Sequence, residues 1–186
     1  MRLGGVLLAS GQGKRFGSNK LLAEVEGVPL YRRAMDTLAE AGLHRLAVCS
    51  PYPEILAAGE NSGFLPLRND HAAEGISASV RLGLSAMDDL DGVLFSVCDQ
   101  PYLTTKSIIR IIDSFQQSKT AICALSWAGR RGNPVIFPRD LFGELAALAG
   151  DVGGGAVIRR HPDRLILVEA FSPKELSDVD KPDDLA

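Results

Sequence analysis

Between Val6 and Lys20 the chain reads Val-Leu-Leu-Ala-Ser-Gly-Gln-Gly-Lys-Arg-Phe-Gly-Ser-Asn-Lys, an apolar run that passes directly into small residues and then into three cations. Backbone NH groups around Ser10, Gly11 and Gly13 can approach phosphate oxygens that a larger side chain would screen. Lys14, Arg15 and Lys20 supply countercharge, and the planar fork of Arg15 can grip two oxygens at once. The spacing excludes two common phosphate loops. A dinucleotide fingerprint beginning at Gly11 needs glycine where Phe16 stands, and GxxxxGK[ST] does not occur. A second feature is Asp99, placed after the apolar run Val93–Val97 and before Gln100-Pro101. A carboxylate at a strand end offers a hard oxygen to a divalent ion beside the crevice where open α/β sheets bind ligands; a turn-forming aspartate has the same address.

Other polar residues follow strand-like segments. Ser50 and Asn69 are positioned to bond a nucleotide base or ribose, with turn formation as the plainer role, favoured for Ser50 by its neighbour Pro51. The stretch Gly75–Ser79 begins a helix whose first NH groups and hydroxyls suit an anion, a base edge or ordinary capping. Asn133 lies in the basic turn Arg130-Arg131-Gly132-Asn133-Pro134. Asp180, within Asp178-Val179-Asp180, is either a second metal ligand or an acidic-tail residue. His44, His71 and His161 lack metal-ligand spacing and read as surface or loop residues, and Trp127 as packing.

The elements that must position these residues alternate along the chain. Strand candidates are Val6–Ala9, Leu46–Cys49, Phe64–Leu67, Val93–Val97, Ala121–Leu125, Val135–Phe137 and Leu165–Val168, mostly too continuously apolar to keep one face in water. Helix candidates are Leu30–Ala41, Ile76–Met87, Thr105–Gln117 and Asp140–Ala147. The third is the clearest: Ile108, Ile111, Ile112 and Phe115 share one face, with Thr104 or Thr105 as N-cap. Strand and helix in alternation predict an open, mostly parallel α/β sheet with helices on both faces, a Rossmann-like three-layer sandwich. Near Ser126–Asn133 there is no room for a helix between two strand-like runs, so an antiparallel excursion is expected.

Composition bounds the answer. The 186 residues, 46% hydrophobic and 23% charged, predict one globular domain over 1–186. A formal net charge of −3 argues against a nucleic-acid-coating surface. The three cysteines, Cys49, Cys98 and Cys123, form no CxxC pair and read as buried thiols of a reducing compartment. Gly4–Ala9 is too short for a signal-peptide core and no apolar run approaches membrane-spanning length, so a cytoplasmic protein with no membrane contact is expected.

The glycine-rich run resembles the signature of the molybdopterin (molybdenum cofactor) nucleotidyltransferases, broadly L-A-[AG]-G-x-[GS]-x-R-[MF]-G-x-x-K, through Leu8-Ala9-Ser10-Gly11, Arg15-Phe16-Gly17 and Lys20. Asn69 with Glu74–Ser79, Asp99-Gln100-Pro101, Gly132-Asn133-Pro134, Gly150-Asp151 and Asp178–Leu185 resemble the later blocks in the right order. The branch most similar is the cytidylyltransferases. Guanylyl members carry Gly-Gly after Leu-Ala and cytidylyl members Ala-Gly; Ser10-Gly11 departs from both, and a Cβ at position 10 narrows the pocket toward a pyrimidine.

The resemblance implies a nucleotide-diphospho-sugar-transferase-like fold, Mg²⁺ as cofactor, and transfer of CMP from CTP to the terminal phosphate of molybdopterin. It implies nucleotide contacts from Leu8, Ala9, Ser10, Gly11, Lys20, Ser50, Asn69, Gly75 and Ser79. Arg15, Lys20 and Asp99 would be catalytic, Asp99 and Asp180 metal ligands, and Asn133 a residue of the pterin side. A molybdoenzyme or its chaperone would receive the product. Open alternatives are GTP as donor, a sugar or polyol phosphate as acceptor, and a non-catalytic cofactor-handover protein.

Overall fold

A computed structural model describes residues 1–11, 19–180 and 184. Among these, seven strands form one sheet in the order β5-β4-β1-β6-β8-β7-β9: β1 (Leu3–Leu8), β4 (Arg45–Ser50), β5 (Leu65–Arg68), β6 (Gly92–Val97), β7 (Ile122–Trp127), β8 (Arg130–Pro138) and β9 (Leu165–Glu169). β1 pairs in parallel with β4 and β6, β4 with β5, and β7 with β9; β8 runs antiparallel to both β6 and β7. The expected mostly parallel α/β sheet is therefore present, and the antiparallel excursion is the β7–β8 hairpin, turned at Ala128-Gly129, both at positive φ.

The alternation of adjacent side chains sorts the core into two layers. Leu7, Val48, Leu94, Cys123 and Ile136 point to one face. Against it pack α1 (Leu30–Ala39) through Met35 and Leu38, α2 (Pro53–Asn61) through Ile55, and α4 (Thr105–Ser118) through Ile108, Ile111 and Phe115. Val6, Ala47, Phe95, Ala124 and Val135 point the other way, toward α3 (Ile76–Ser85), α5 (Phe142–Ala146) and α6 (Gly155–Arg160). Helix α4 forms where the isoleucine spacing places it; Thr104 accepts from Ser107 N, and Lys119, in the left-handed region, ends it. Each large side chain buried on that face contributes about 1.5–3 kcal/mol.

Several boundaries differ from the sequence expectation. β5 and β9 are edge strands with exposed positions, Leu65 in one and Ile166 and Leu167 in the other, because no helix covers both their faces. The expected helix over Asp140–Ala147 is a 3₁₀ turn, Arg139–Leu141, followed by the short α5. Helices α2 and α6 carry weak signals, since α2 buries only Ile55 and Gly59 and α6 emerges from a glycine run. The hairpin β2 (Glu24–Val25) and β3 (Val28–Pro29) turns through Glu26-Gly27, both at positive φ, as a two-residue hairpin requires.

The three cysteines are free and buried. Desolvation pushes the Cys49 thiol up to about 12, so it is unreactive at neutral pH. No helix among the described residues is long and apolar enough to cross a membrane.

Candidate active site

The carboxyl ends of β1, β4 and β6 meet where strand order reverses about β1, the position at which such sheets bind ligands. A cavity of about 580 Å³ opens there, lined by Ser10, Gly11, Lys20, Ser79, Asp99 and Asp151 among others. A larger, shallow concavity lined by Met1, Asp91 and Arg139 sits at the opposite, amino end of the sheet and brings none of the predicted residues together.

Lys20 is delivered by a 3₁₀ turn, Lys20–Leu22, which Asn19 caps by accepting from Leu21 N at 3.1 Å while Leu21 buries itself in the core. Its Nζ donates to Asp99 Oδ2 at 2.9 Å, to the Val179 carbonyl at 3.1 Å and to Asp180 Oδ1 at 3.5 Å. The lysine side chain is 12% exposed and that of Asp99 27%, so this pair is screened far less than a surface ion pair. Burial is the largest influence on the Lys20 ammonium and opposes its charge. Asp99, by charge and hydrogen bond, and then Asp180 outweigh it, and the net shift is upward.

Asp180 arrives from the far end of the chain by a short strap. Val179 N donates to Asp99 O at 2.8 Å, and the Val179 side chain is buried beside Val25 and Leu30. Gln100 donates to Asp178 Oδ1 at 2.9 Å. Burial, with smaller contributions from Asp99 and Asp180, raises the pKa of the Asp178 carboxyl, although the Gln100 hydrogen bond and the Lys20 charge oppose the shift. Sequence reasoning named the Asp99-Gln100-Pro101 and Asp178-Val179-Asp180 blocks but gave Gln100 no role of its own and missed the Val179 carbonyl, a backbone group that no residue-type signal marks.

The other wall is built around Asn69, 3% exposed. Its Nδ2 donates to Ser10 Oγ at 3.1 Å and Ser79 Oγ at 2.9 Å, and its Oδ1 accepts from His71 N at 3.1 Å. Ser10 Oγ in turn donates to the Cys49 carbonyl at 3.1 Å. Ser50 is fully buried and donates to the Ala9 carbonyl at 2.8 Å while accepting from Tyr52 N, so its hydroxyl serves the loop backbone. Tyr52, unmarked by the sequence, donates to the Gly11 carbonyl at 3.3 Å.

Gly75 adopts φ 107°, and a Cβ there would stand 2.6 Å from the carbonyl carbon and oxygen of Gly150. Only glycine lets these loops meet. The contact caps α3: Gly150 O accepts from Ser77 N at 3.3 Å and Asp151 Oδ1 from Ile76 N at 3.4 Å. Of the roles left open for this helix start, internal capping occupies those two NH groups, and an anion has neither of them to bind.

Asn133 does not line the main cavity. It lines a crevice of about 70 Å³ with Phe95, Phe137 and Gly154, and the two spaces share Leu8, Ile76 and Val97. Arg15 lies outside the described residues. Leu8, Ser10, Gly11, Lys20, Gly75, Ser79 and Asp99 are thus brought to one cavity. Asp180 joins it through Lys20, Ala9, Ser50 and Asn69 support its wall, and Asn133 stands next door.

A family model described as the MobA-like NTP transferase domain matches residues 5–165. Over 185 residues the chain is 26% identical to nicotine blue oxidoreductase of Paenarthrobacter nicotinovorans, covering 95% of this chain and 91% of that protein. Over 132 residues it is 30% identical to a probable molybdenum cofactor guanylyltransferase of Pyrococcus horikoshii, covering 69% of this chain and 64% of that one. The crystal structure of Rv0371c from Mycobacterium tuberculosis H37Rv has a TM-score of 0.84 and 30% identity, covering 99% of this chain and 95% of that chain. A second structure of that protein, described as a complex with manganese, has a TM-score of 0.79 and 28% identity over 99% of this chain and 96% of that chain.

Proposed function

The chain belongs to the MobA-like NTP transferase family and is a nucleotidyltransferase of that family; we propose that it moves CMP from CTP to the terminal phosphate of molybdopterin, releasing pyrophosphate. The observation that carries this reading is the convergence of Asp99, Asp180 and the Val179 carbonyl on one cation, the Lys20 ammonium, beside a cavity at the carboxyl edge of the sheet.

The donor set around Lys20 is all oxygen, which suits a hard divalent ion such as Mg²⁺, an ion that needs only one or two protein carboxylates beside phosphate and water. Asp99 and Asp180 would hold it. When bound, the ion supplies charge neutralisation of the nucleotide phosphates. The chain's own groups do the rest. Lys20, Arg15 and the NH groups near Gly11 take up the charge that develops on leaving pyrophosphate. The acceptor phosphate, already ionised at neutral pH, forms a bond from its oxygen to the α-phosphorus as the bond from that phosphorus to the β-phosphate bridging oxygen breaks. No strong base is required. The wall of Ser10, Asn69 and Ser79 orients the base and ribose, and product passes to a molybdoenzyme or its chaperone in the cytoplasm.

Ser10 supports CTP: its side chain is pinned by Cys49 O and Asn69, taking room that glycine would leave to a purine. GTP is the second reading, favoured by the guanylyltransferase name of the P. horikoshii relative. The oxidoreductase name of the P. nicotinovorans relative is not extended to this chain, because the glycine-rich run lacks dinucleotide spacing. Purified protein given molybdopterin, a divalent ion and each NTP in turn should release pyrophosphate with CTP. Release with GTP alone would overturn the donor assignment.

A further inference from the structure

Two guanidinium groups converge beside the Asn133 crevice without a counterion among the described residues. Arg131 reaches from β8 and Arg159 from α6, and a Cβ built at Gly155 would stand 3.4 Å from Arg131 Nη2 and 3.7 Å from Arg159 Nη1. Neither side chain has a hydrogen bond or ion pair among the described residues, whereas the adjacent Arg160 is paired with Glu144 at 2.9 Å. Arg131 is the one charged residue lining the crevice, whose other walls include Phe95, Phe137 and Asn133. Both side chains are exposed, so solvent screens their mutual repulsion, and an anion seated beside Gly155 is within reach of both as charge-assisted donors. The crevice shares three residues with the Lys20–Asp99 cavity, but charge is divided between them: carboxylates and Lys20 line one, and Arg131, with Arg159 beside it, marks the other.

We infer that Arg131 and Arg159 form an oxyanion site for the acceptor substrate, binding a phosphate-class group through charge-assisted contacts while Asn133 flanks the adjoining part of the acceptor. The inference rests on the nucleotidyltransferase reading for the identity of the acceptor, and on this structure alone for the anion site. Phosphate belongs to donor and acceptor alike, so the test must separate the two.

Each arginine can be followed by its rate of phenylglyoxal modification, mapped by peptide mass spectrometry. Inorganic phosphate should slow modification of Arg131 and Arg159 together, by about tenfold or more, and leave Arg130 unchanged. Gly155→Asp, whose added Cβ meets only ordinary contacts, should protect both arginines without phosphate. In turnover, the double variant Arg131→Gln/Arg159→Gln should raise KM for the acceptor about tenfold or more with KM for the NTP unchanged. Phosphate that protects neither arginine, or a double variant whose NTP KM rises as much as its acceptor KM, would overturn the assignment. Wild-type protein that releases no pyrophosphate with any NTP would defeat the nucleotidyltransferase reading instead, and the protection experiment would still decide the anion site.

Discussion

Lys20 Nζ lies 2.9 Å from Asp99 Oδ2 across 79 residues of sequence, joining the glycine-rich run at the end of β1 to the turn after β6. Parallel pairing of β1 with β6 sets Leu8 opposite Val97, so both chains leave the sheet at the edge where Lys20 and Asp99 meet. Lys20→Ala should raise KM for the NTP and lower kcat, each by about tenfold or more, the scale of one lost charge-assisted bond. Lys20→Arg should not restore activity, because a guanidinium cannot occupy a site shaped to three oxygens around one nitrogen. Steady-state pyrophosphate release with the NTP varied measures both.

Asn69 is the hub of the opposite wall, and its amide serves two hydroxyls and one NH. Asn69→Ala leaves the buried Ser79 hydroxyl without this partner and frees Ser10 and the His71 NH from the wall, so stability should fall by about 1–3 kcal/mol and NTP affinity with it. Urea denaturation, followed by NTP titration of the folded variant, checks both; an unchanged midpoint would contradict the hub role.

Away from the site, Arg164 grips Asp140 with two nitrogens at 2.8 and 3.0 Å. The Arg164 hydrogen bonds hold the Asp140 carboxyl below its ordinary range. A depressed carboxyl contributes stability that is fully present above its unfolded pKa, about 3.9, and is lost as pH falls through the folded value. Asp140→Asn should therefore be less stable than wild type at pH 7, by no more than about 1 kcal/mol for so exposed a pair, with the difference vanishing in strong acid. Denaturation midpoints across an acid series provide the comparison.

Much of this arrangement was legible in the residues. Strand–helix alternation predicts the sheet, and the isoleucine spacing of α4 predicts its buried face. The small residues before Lys20 and the strand-end position of Asp99 mark one edge as chemical. What the sequence does not display is contact between distant segments. The strap that carries Asp180 is held by a backbone bond from Val179 to Asp99, and Gly75 is required by the approach of Gly150, 75 positions away. Helix α6 emerges from a glycine run in which Phe137 packs so close to Gly154 that a Cβ would stand 2.7 Å from its ring, a contact between distant segments.

The most direct test of the account is Asp99→Ala. Pyrophosphate release in the presence of CTP, molybdopterin and a divalent ion should fall by about 10³-fold or more, while circular dichroism and the unfolding midpoint show the fold retained. A folded Asp99→Ala protein that turns over at a near-normal rate would contradict the assignment of this edge of the sheet as the catalytic centre.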